Sequence, residues 1–194
     1  FMDRPCIRAT DDFSGAGYPE CEALLIIEVE GSDDEIQVQL SKISKIARTH
    51  NPVELREATS DEEAARIWRG RKSAFGAMGQ LNDYMCLDGT IPLTELSYVL
   101  RRIGEMSREF GLDVGNVFHA GDGNMHPLIL YNANKPGDLE TCEAFGAEIL
   151  KLCVEVGGCL TGEHGVGIEK RDLMSIQFTE DDLKQQQRLK CAFD

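Results

Sequence analysis

Three of the chain's four histidines fall in two short glycine-rich stretches, His119-Ala-Gly-Asp-Gly-Asn-Met-His126 and Gly157-Gly-Cys-Leu-Thr-Gly-Glu-His-Gly-Val-Gly167. In the first, Asp122-Gly123 suits a two-residue type I′ hairpin turn, whose central residues both take positive φ. Counting outward from that turn pairs Gly121 with Asn124, Ala120 with Met125 and His119 with His126. Cross-strand partners share a face with Cβ atoms about 5 Å apart, a spacing at which two imidazoles can bind one metal ion. Glu163-His164, in the second stretch, brings a third ligand. The spacing is neither a zinc-finger pattern nor the helical H-E-x-x-H of metalloproteases, and two histidines beside a turn can equally be partly exposed strand residues. The second stretch favours a ligand site, because glycines flanking Glu-His let backbone approach a bound group closely.

These motifs need a fold to hold them. With 194 residues, 42% of them hydrophobic and 28% charged, the chain can build one substantial domain with a real core, and residues 1–194 read as a single domain. A net charge of −14 argues against nucleic acid or an anionic membrane as partner, since both require clustered Lys and Arg. An anionic substrate would have to meet a local cation. The seven cysteines, at positions 6, 21, 86, 142, 153, 159 and 191, are odd in number and contain no CxxC pair, so they read as reduced thiols of a cytosolic protein. No stretch is long and apolar enough to span a bilayer, and no signal peptide opens the chain. Its start, Phe1-Met-Asp-Arg, reads as cut from something longer.

Ala23 to Glu30 is a β-rich apolar run and is predicted as a buried strand. Ser32 then caps a helix whose apolar positions Ile36, Leu40, Ile43 and Ile46 keep the 3.6-residue period, with His50 as a C-terminal cation rather than a ligand. Pro52 to Glu57 is predicted as a short strand, and a second helix runs from the Ser60 cap through Ile67, Arg71 and Phe75. A strand covers Tyr84 to Thr90, and a third helix starts at Ile91-Pro92 and stops at Gly111. The histidine hairpin follows, with strands near Val114 to His119 and Asn124 to Tyr131. A fourth helix covers Leu139 to Val156, and two helical segments finish the chain. The pattern is α+β: a mostly antiparallel sheet with helices packed on one face, related to the ferredoxin-like arrangement.

The two glycine-rich stretches, extended to Lys170, resemble the C-terminal domain of FAD-linked 2-hydroxyacid oxidases of the vanillyl-alcohol-oxidase type, most closely the glycolate-oxidising branch. Ile67-Trp-Arg-Gly-Arg-Lys-Ser-Ala74 and Tyr84-Met-Cys-Leu-Asp-Gly-Thr-Ile-Pro92 look like the same family, so the resemblance spans nearly the whole chain. It implies a cap or substrate domain that works with an N-terminal FAD-binding domain outside these residues. By motif position, His119, His126 and Glu163 match divalent-metal ligands (zinc, manganese or iron), His164 matches a catalytic base, and Arg71 matches an arginine that binds the substrate carboxylate. Cys86 stands where 2-hydroxyglutarate enzymes of the family carry lysine, and Leu128 where they carry asparagine. Both departures remove polar contacts for a second carboxylate and favour a small substrate, glycolate or D-lactate.

The implied chemistry is coherent. Oxidising a 2-hydroxy acid sends the α-hydrogen to flavin as hydride while the hydroxyl loses a proton, and a chelating divalent ion lowers the pKa of that hydroxyl. His164 would take the proton and Arg71 would grip the carboxylate bidentately. The resemblance also implies other oxidase subunits, including an iron-sulfur subunit, a cytoplasmic location and a peripheral seat at the inner membrane through those subunits. Alone, the chain is expected neither to hold FAD nor to turn over, and to self-associate through the uncovered face bearing the two motifs. A non-catalytic assembly module and a stand-alone metal-dependent hydrolase are the alternative readings.

Overall fold

The computed structural model describes residues 1–193, which divide into two compact units, Phe1–Ala77 and 78–193. The α+β class expected from the sequence is what forms. Its strands are shared among one three-stranded and two two-stranded antiparallel sheets, so the ferredoxin-like detail is not reproduced by the described strands.

In the first unit, strand β1 (Met2–Asp3) pairs with β2 (Ala23–Leu24), and between them helix α1 (Arg4–Ser14) starts at the Asp3 cap, with proline in its first turn. Cys6, Ile7 and Thr10 of α1 are buried. Helix α2 (Asp33–Thr49) opens on a capping box between Ser32 and Glu35. Of the apolar face that the sequence gives it, Ile36, Leu40 and Ile43 are half-buried and Ile46 is exposed. Helix α3 (Asp61–Leu81) carries Arg71. The Tyr18 hydroxyl donates to the Ile67 carbonyl at 2.5 Å.

Two predicted strands of this unit do not form. Only Ala23–Leu24 of the Ala23 to Glu30 run is strand, and residues 52–57 are irregular. Composition makes a segment competent for a ladder, but a strand exists only where a second backbone supplies the partners, and here β1 meets only two residues of the run. Leu25 and Ile27 consequently remain exposed.

The second unit has a core. Strands β3 (Asp83–Cys86), β5 (Val114–Asn116) and β7 (Pro127–Tyr131) form an antiparallel sheet in the order β3-β7-β5, with Cys86 opposite Leu128. Helix α4 (Leu96–Phe110) ends at Gly111, in the left-handed conformation at φ 68°. Helix α5 (Asp138–Glu155) packs against α4, β7 and β3. Val99 and Ile103 of α4, Phe145 and Ile149 of α5, and Leu128 and Ile129 of β7 are all buried, and Phe110 stacks on Phe145 with ring centres 5.1 Å apart. Helices α6 (Met174–Gln177) and α7 (Glu180–Phe193) close the chain.

The sheet that positions the motifs is the smallest one. Strand β4 (Gly89–Thr90) pairs with β6 (Asn124–Met125) on one side, and on the other Thr90 bridges Cys159 through reciprocal backbone hydrogen bonds of 3.0 and 3.1 Å. One two-residue strand thus draws both glycine-rich stretches together. Gly158 permits this, since a Cβ there would stand 1.7 Å from the Thr90 carbonyl oxygen.

Candidate functional site

The turn between the two histidines differs from the type I′ expectation. Ala120–Asp122 forms a 3₁₀ turn ended by Gly123 at φ 68°, and Asn51 is the only described non-glycine residue with positive φ, so Asp122 does not have it. A type I′ turn needs two residues at positive φ, whereas a longer loop needs only a terminal glycine, and the chain takes the cheaper route. The register moves by two residues. His119 bridges Asn124, and the Val117 amide meets the His126 carbonyl at 3.5 Å. His119 is therefore a diagonal neighbour of His126 and not its direct partner. A shift of two preserves the face, and the rings stand edge to face with centres 6.0 Å apart.

His126 is buried, and its Nδ1 lies 3.1 Å from the Leu87 carbonyl oxygen. A carbonyl only accepts, so Nδ1 carries a proton and neutral His126 presents the Nε2 lone pair to the site. That Nε2 stands 3.0 Å from Glu163 Oε1. Two acceptors face each other at this distance only with a cation between them, a proton or a metal ion. Donors bound to one ion at about 2 Å each lie about 3 Å apart, so the pair suits a shared divalent ion.

His164 stacks on His126 with ring centres 5.1 Å apart and planes 10° from parallel, and its Nε2 is 3.7 Å from the same Glu163 oxygen. Ligand atoms of Asp88, His126, Glu163 and His164 lie within 4.8 Å of one another, and so do those of Cys86, His126 and His164. His126 and Glu163 of the expected metal trio thus meet with His164, while His119 stands beside the group and outside those two sets. Arg71 lies on α3 in the first unit, half-buried, where desolvation lowers its pKa against the weaker pull of Cys6 and Tyr18.

Asp88 is the residue that sequence reasoning missed. Its side chain is fully buried, and its Oδ2 accepts from Thr161 Oγ1 at 2.5 Å and from the amides of Gly162, Glu163 and His164 at 3.0, 3.2 and 2.8 Å. Lys170 Nζ, itself 7% exposed, reaches both Asp88 Oδ2 at 3.3 Å and Thr161 Oγ1 at 3.2 Å. Burial alone would raise the pKa of this carboxyl. The hydrogen bonds from Thr161, His164 and Glu163, with the Lys170 charge behind them, outweigh it and hold Asp88 well below the usual carboxylate range. With so many donors on its oxygens, Asp88 serves as the anchor of the loop and not as a ligand. No spacing rule marks it, because the contacts span 73 to 82 residues.

Gly162 completes the loop's fit: a Cβ there would stand 2.6 Å from Asn124 Oδ1 and 2.8 Å from Thr90 Cγ2. Beside this loop is an open cavity lined by Cys86, His164 and the Gly165–Lys170 segment. No helix among the described residues is long and apolar enough to cross a membrane.

Comparison with known proteins identifies the family of the chain. Residues 1–194 match the family described as FAD linked oxidases, C-terminal domain. The chain is 46% identical over 195 residues to glycolate oxidase subunit GlcD of Escherichia coli K12, covering 100% of this chain and 39% of that protein. It is 30% identical over 196 residues to the subunit of that name in Bacillus subtilis, covering 100% of the chain and 42% of the relative. It is 27% identical over 198 residues to a D-lactate dehydrogenase of Archaeoglobus fulgidus, again covering 100% and 42%. The chain belongs to the C-terminal domain family of the FAD-linked oxidases, and it spans about two fifths of the length of these relatives.

Proposed function

We propose that this chain is the substrate- and metal-binding cap domain of an FAD-dependent 2-hydroxyacid oxidase or dehydrogenase, which converts glycolate or D-lactate to the 2-oxo acid. The observation that carries this reading is the meeting of His126 Nε2, Glu163 Oε1 and His164 on a loop anchored by Asp88, in a chain of the FAD-linked oxidase family. His126 and Glu163, with His119 beside them, would hold one divalent ion of zinc, manganese or iron. When bound, that ion would supply Lewis acidity toward the substrate hydroxyl, and FAD would supply the hydride acceptor.

The rest falls to this chain's own side chains. His164, 46% exposed, is open to a substrate and accepts the hydroxyl proton at a ring nitrogen. His126 keeps its tautomer through Leu87, so its lone pair stays directed at the site. Asp88 and Lys170 fix the backbone from which Glu163 and His164 project. The carboxylate role of Arg71 rests on its motif, and a planar guanidinium matches a carboxylate in two parallel bonds. Cys86 and Leu128, paired across β3 and β7, offer no cation to a second carboxylate, which favours a small monoacid. Further oxidase subunits, an iron-sulfur subunit among them, and a cytoplasmic seat at the inner membrane through them belong to the same proposal; relatives of this chain are named as subunits.

Rapid mixing of the intact flavin-loaded protein with a series of 2-hydroxy acids tests the reading. Glycolate and D-lactate should bleach the flavin faster than 2-hydroxyglutarate, and in the manganese-loaded protein His164→Asn should slow bleaching strongly with bound manganese unchanged by elemental analysis. Bleaching by none of these acids, or an unchanged rate in His164→Asn, would overturn it.

A further inference from the structure

We infer that Cys86, His126 and His164 form a second metal site, selective for thiophilic divalent ions of the zinc and cadmium class and exclusive of the Glu163 set. One sulfur and two imidazole nitrogens within 4.8 Å of one another are a common zinc donor combination, and three protein ligands leave a fourth, open position for water. The entry path exists. Cys86 and His164 both line the open cavity beside the glycine-rich loop.

Burial opposes ionisation of Cys86, pushing its thiol up to about 11, and the charge of a bound metal ion offsets that cost. The Cys86 thiol donates to the Leu87 carbonyl at 3.4 Å, a long contact that is lost when the thiol ionises. That carbonyl also faces His126 Nδ1 at 3.1 Å, so it keeps its imidazole donor and is not orphaned. The step is heterolytic and involves no change of oxidation state: the S–H bond breaks, its proton leaves to solvent, and the sulfur electron pair forms the metal–sulfur bond.

The two sets compete because they share imidazoles. An ion held by His126 and Glu163 as proposed above leaves His164 available, whereas an ion on Cys86 draws on both His126 and His164. Oxygen donors suit manganese and iron, while sulfur selects zinc and cadmium. On the oxidase reading, on which this consequence alone rests, zinc or cadmium seated on Cys86 removes the proton acceptor and inhibits, whereas an ion on the Glu163 set serves turnover. The ligation itself rests only on the geometry.

X-ray absorption at the zinc edge of the full-length protein, loaded with one zinc per chain, reads the ligation directly. The wild type should show a sulfur shell at about 2.3 Å beside nitrogen at about 2.0–2.1 Å. Cys86→Ser and Cys86→Ala should lose the sulfur shell and weaken zinc binding by more than the roughly 10–100-fold that loss of an outer-shell partner costs. Excess manganese should weaken zinc binding to the wild type. A wild-type spectrum without sulfur, or a sulfur shell that persists in both variants, would overturn the inference. Flavin reduction by glycolate separates the consequence from the ligation: zinc should inhibit the wild type and spare Cys86→Ser. Equal inhibition of both forms would overturn the exclusive use of His164, whereas failure of any acid to reduce the flavin would sink the oxidase reading and leave the sulfur shell standing.

Discussion

The Oδ2 atom of Asp88 lies 2.8 Å from the backbone nitrogen of His164, across 76 residues of chain. The carboxylate does not touch the imidazole; it fixes the backbone from which the imidazole projects. Asp88 is thus a positioning residue, and its effects should differ in kind from those of His164.

Asp88→Asn keeps the side-chain shape but removes the charge and half of the acceptor capacity, so the amides of residues 162–164 lose partners. In the intact protein kcat/KM for glycolate should fall by about 100-fold, the usual result of misplacing a catalytic group by an ångström or so. Hydrogen exchange should show faster exchange of the Glu163 and His164 amides, while the exchange of α4 and α5 stays unchanged. Unchanged amide protection in the variant would refute the anchoring role.

Lys170 and Asp88 form a buried ion pair at 3.3 Å. Removing one partner leaves the other charge unneutralised, so Lys170→Met should destabilise the protein by about 3 kcal/mol, at the low end for such pairs because Asp88 keeps its backbone donors. The double variant Asp88→Asn with Lys170→Met should lose less than the sum of the single changes. Urea unfolding midpoints measure both effects, and strict additivity would show that the pair is not coupled.

Gly158 and Gly162 have different neighbours and should differ in cost. At Gly162 the nearest atom to a new Cβ is the end of a side chain, Asn124 Oδ1, so Gly162→Ala should destabilise by about 1–3 kcal/mol. At Gly158 the obstacle is the Thr90 backbone carbonyl, which cannot swing away. Gly158→Ala should cost more and break the Thr90–Cys159 bridge, visible as lost protection of the Cys159 amide. Equal midpoints for the two variants would contradict this order.

Burial pushes the Cys153 thiol up to about 12 and the Cys142 thiol up to about 11. In the unfolded chain a thiol ionises near pH 8.5, so between that pH and the folded values the unfolded state gives up protons that the native state keeps. Stability from these two groups is fully present below about pH 8.5 and falls as pH rises, by up to about 1.4 kcal/mol per pH unit for each thiol. Urea midpoints measured from neutral to alkaline pH should decline, and Cys153→Ala should flatten the decline. A flat wild-type profile would contradict the assignment.

Helices were the most legible part of the sequence. The Ser32 cap with Glu35, the Ile91-Pro92 start and the Gly111 stop all act locally, and α2 and α4 form within a few residues of where those signals put them. The meeting of the two glycine-rich stretches was legible because their residue types are rare and clustered. What could not be read was pairing. The histidine register turned on whether Asp122 would take positive φ, and the run beyond Leu24 lacked a ladder partner, which composition cannot reveal. Asp88 was invisible for a related reason: three of its donors are backbone amides, which every sequence supplies, and the Thr161 and Lys170 side chains reach it across 73 and 82 residues.

That last point changes what can safely be altered. Asp88 grips the loop by its amide groups, so the shape of residues 162–164 is specified separately from the side chains of Glu163 and His164. Chemistry and scaffold are written in different parts of the chain. On the function proposed above, replacing the two exposed side chains would rewrite the reactivity of the loop without erasing its form, which makes this short stretch a natural position for selecting new metal preferences or new substrates.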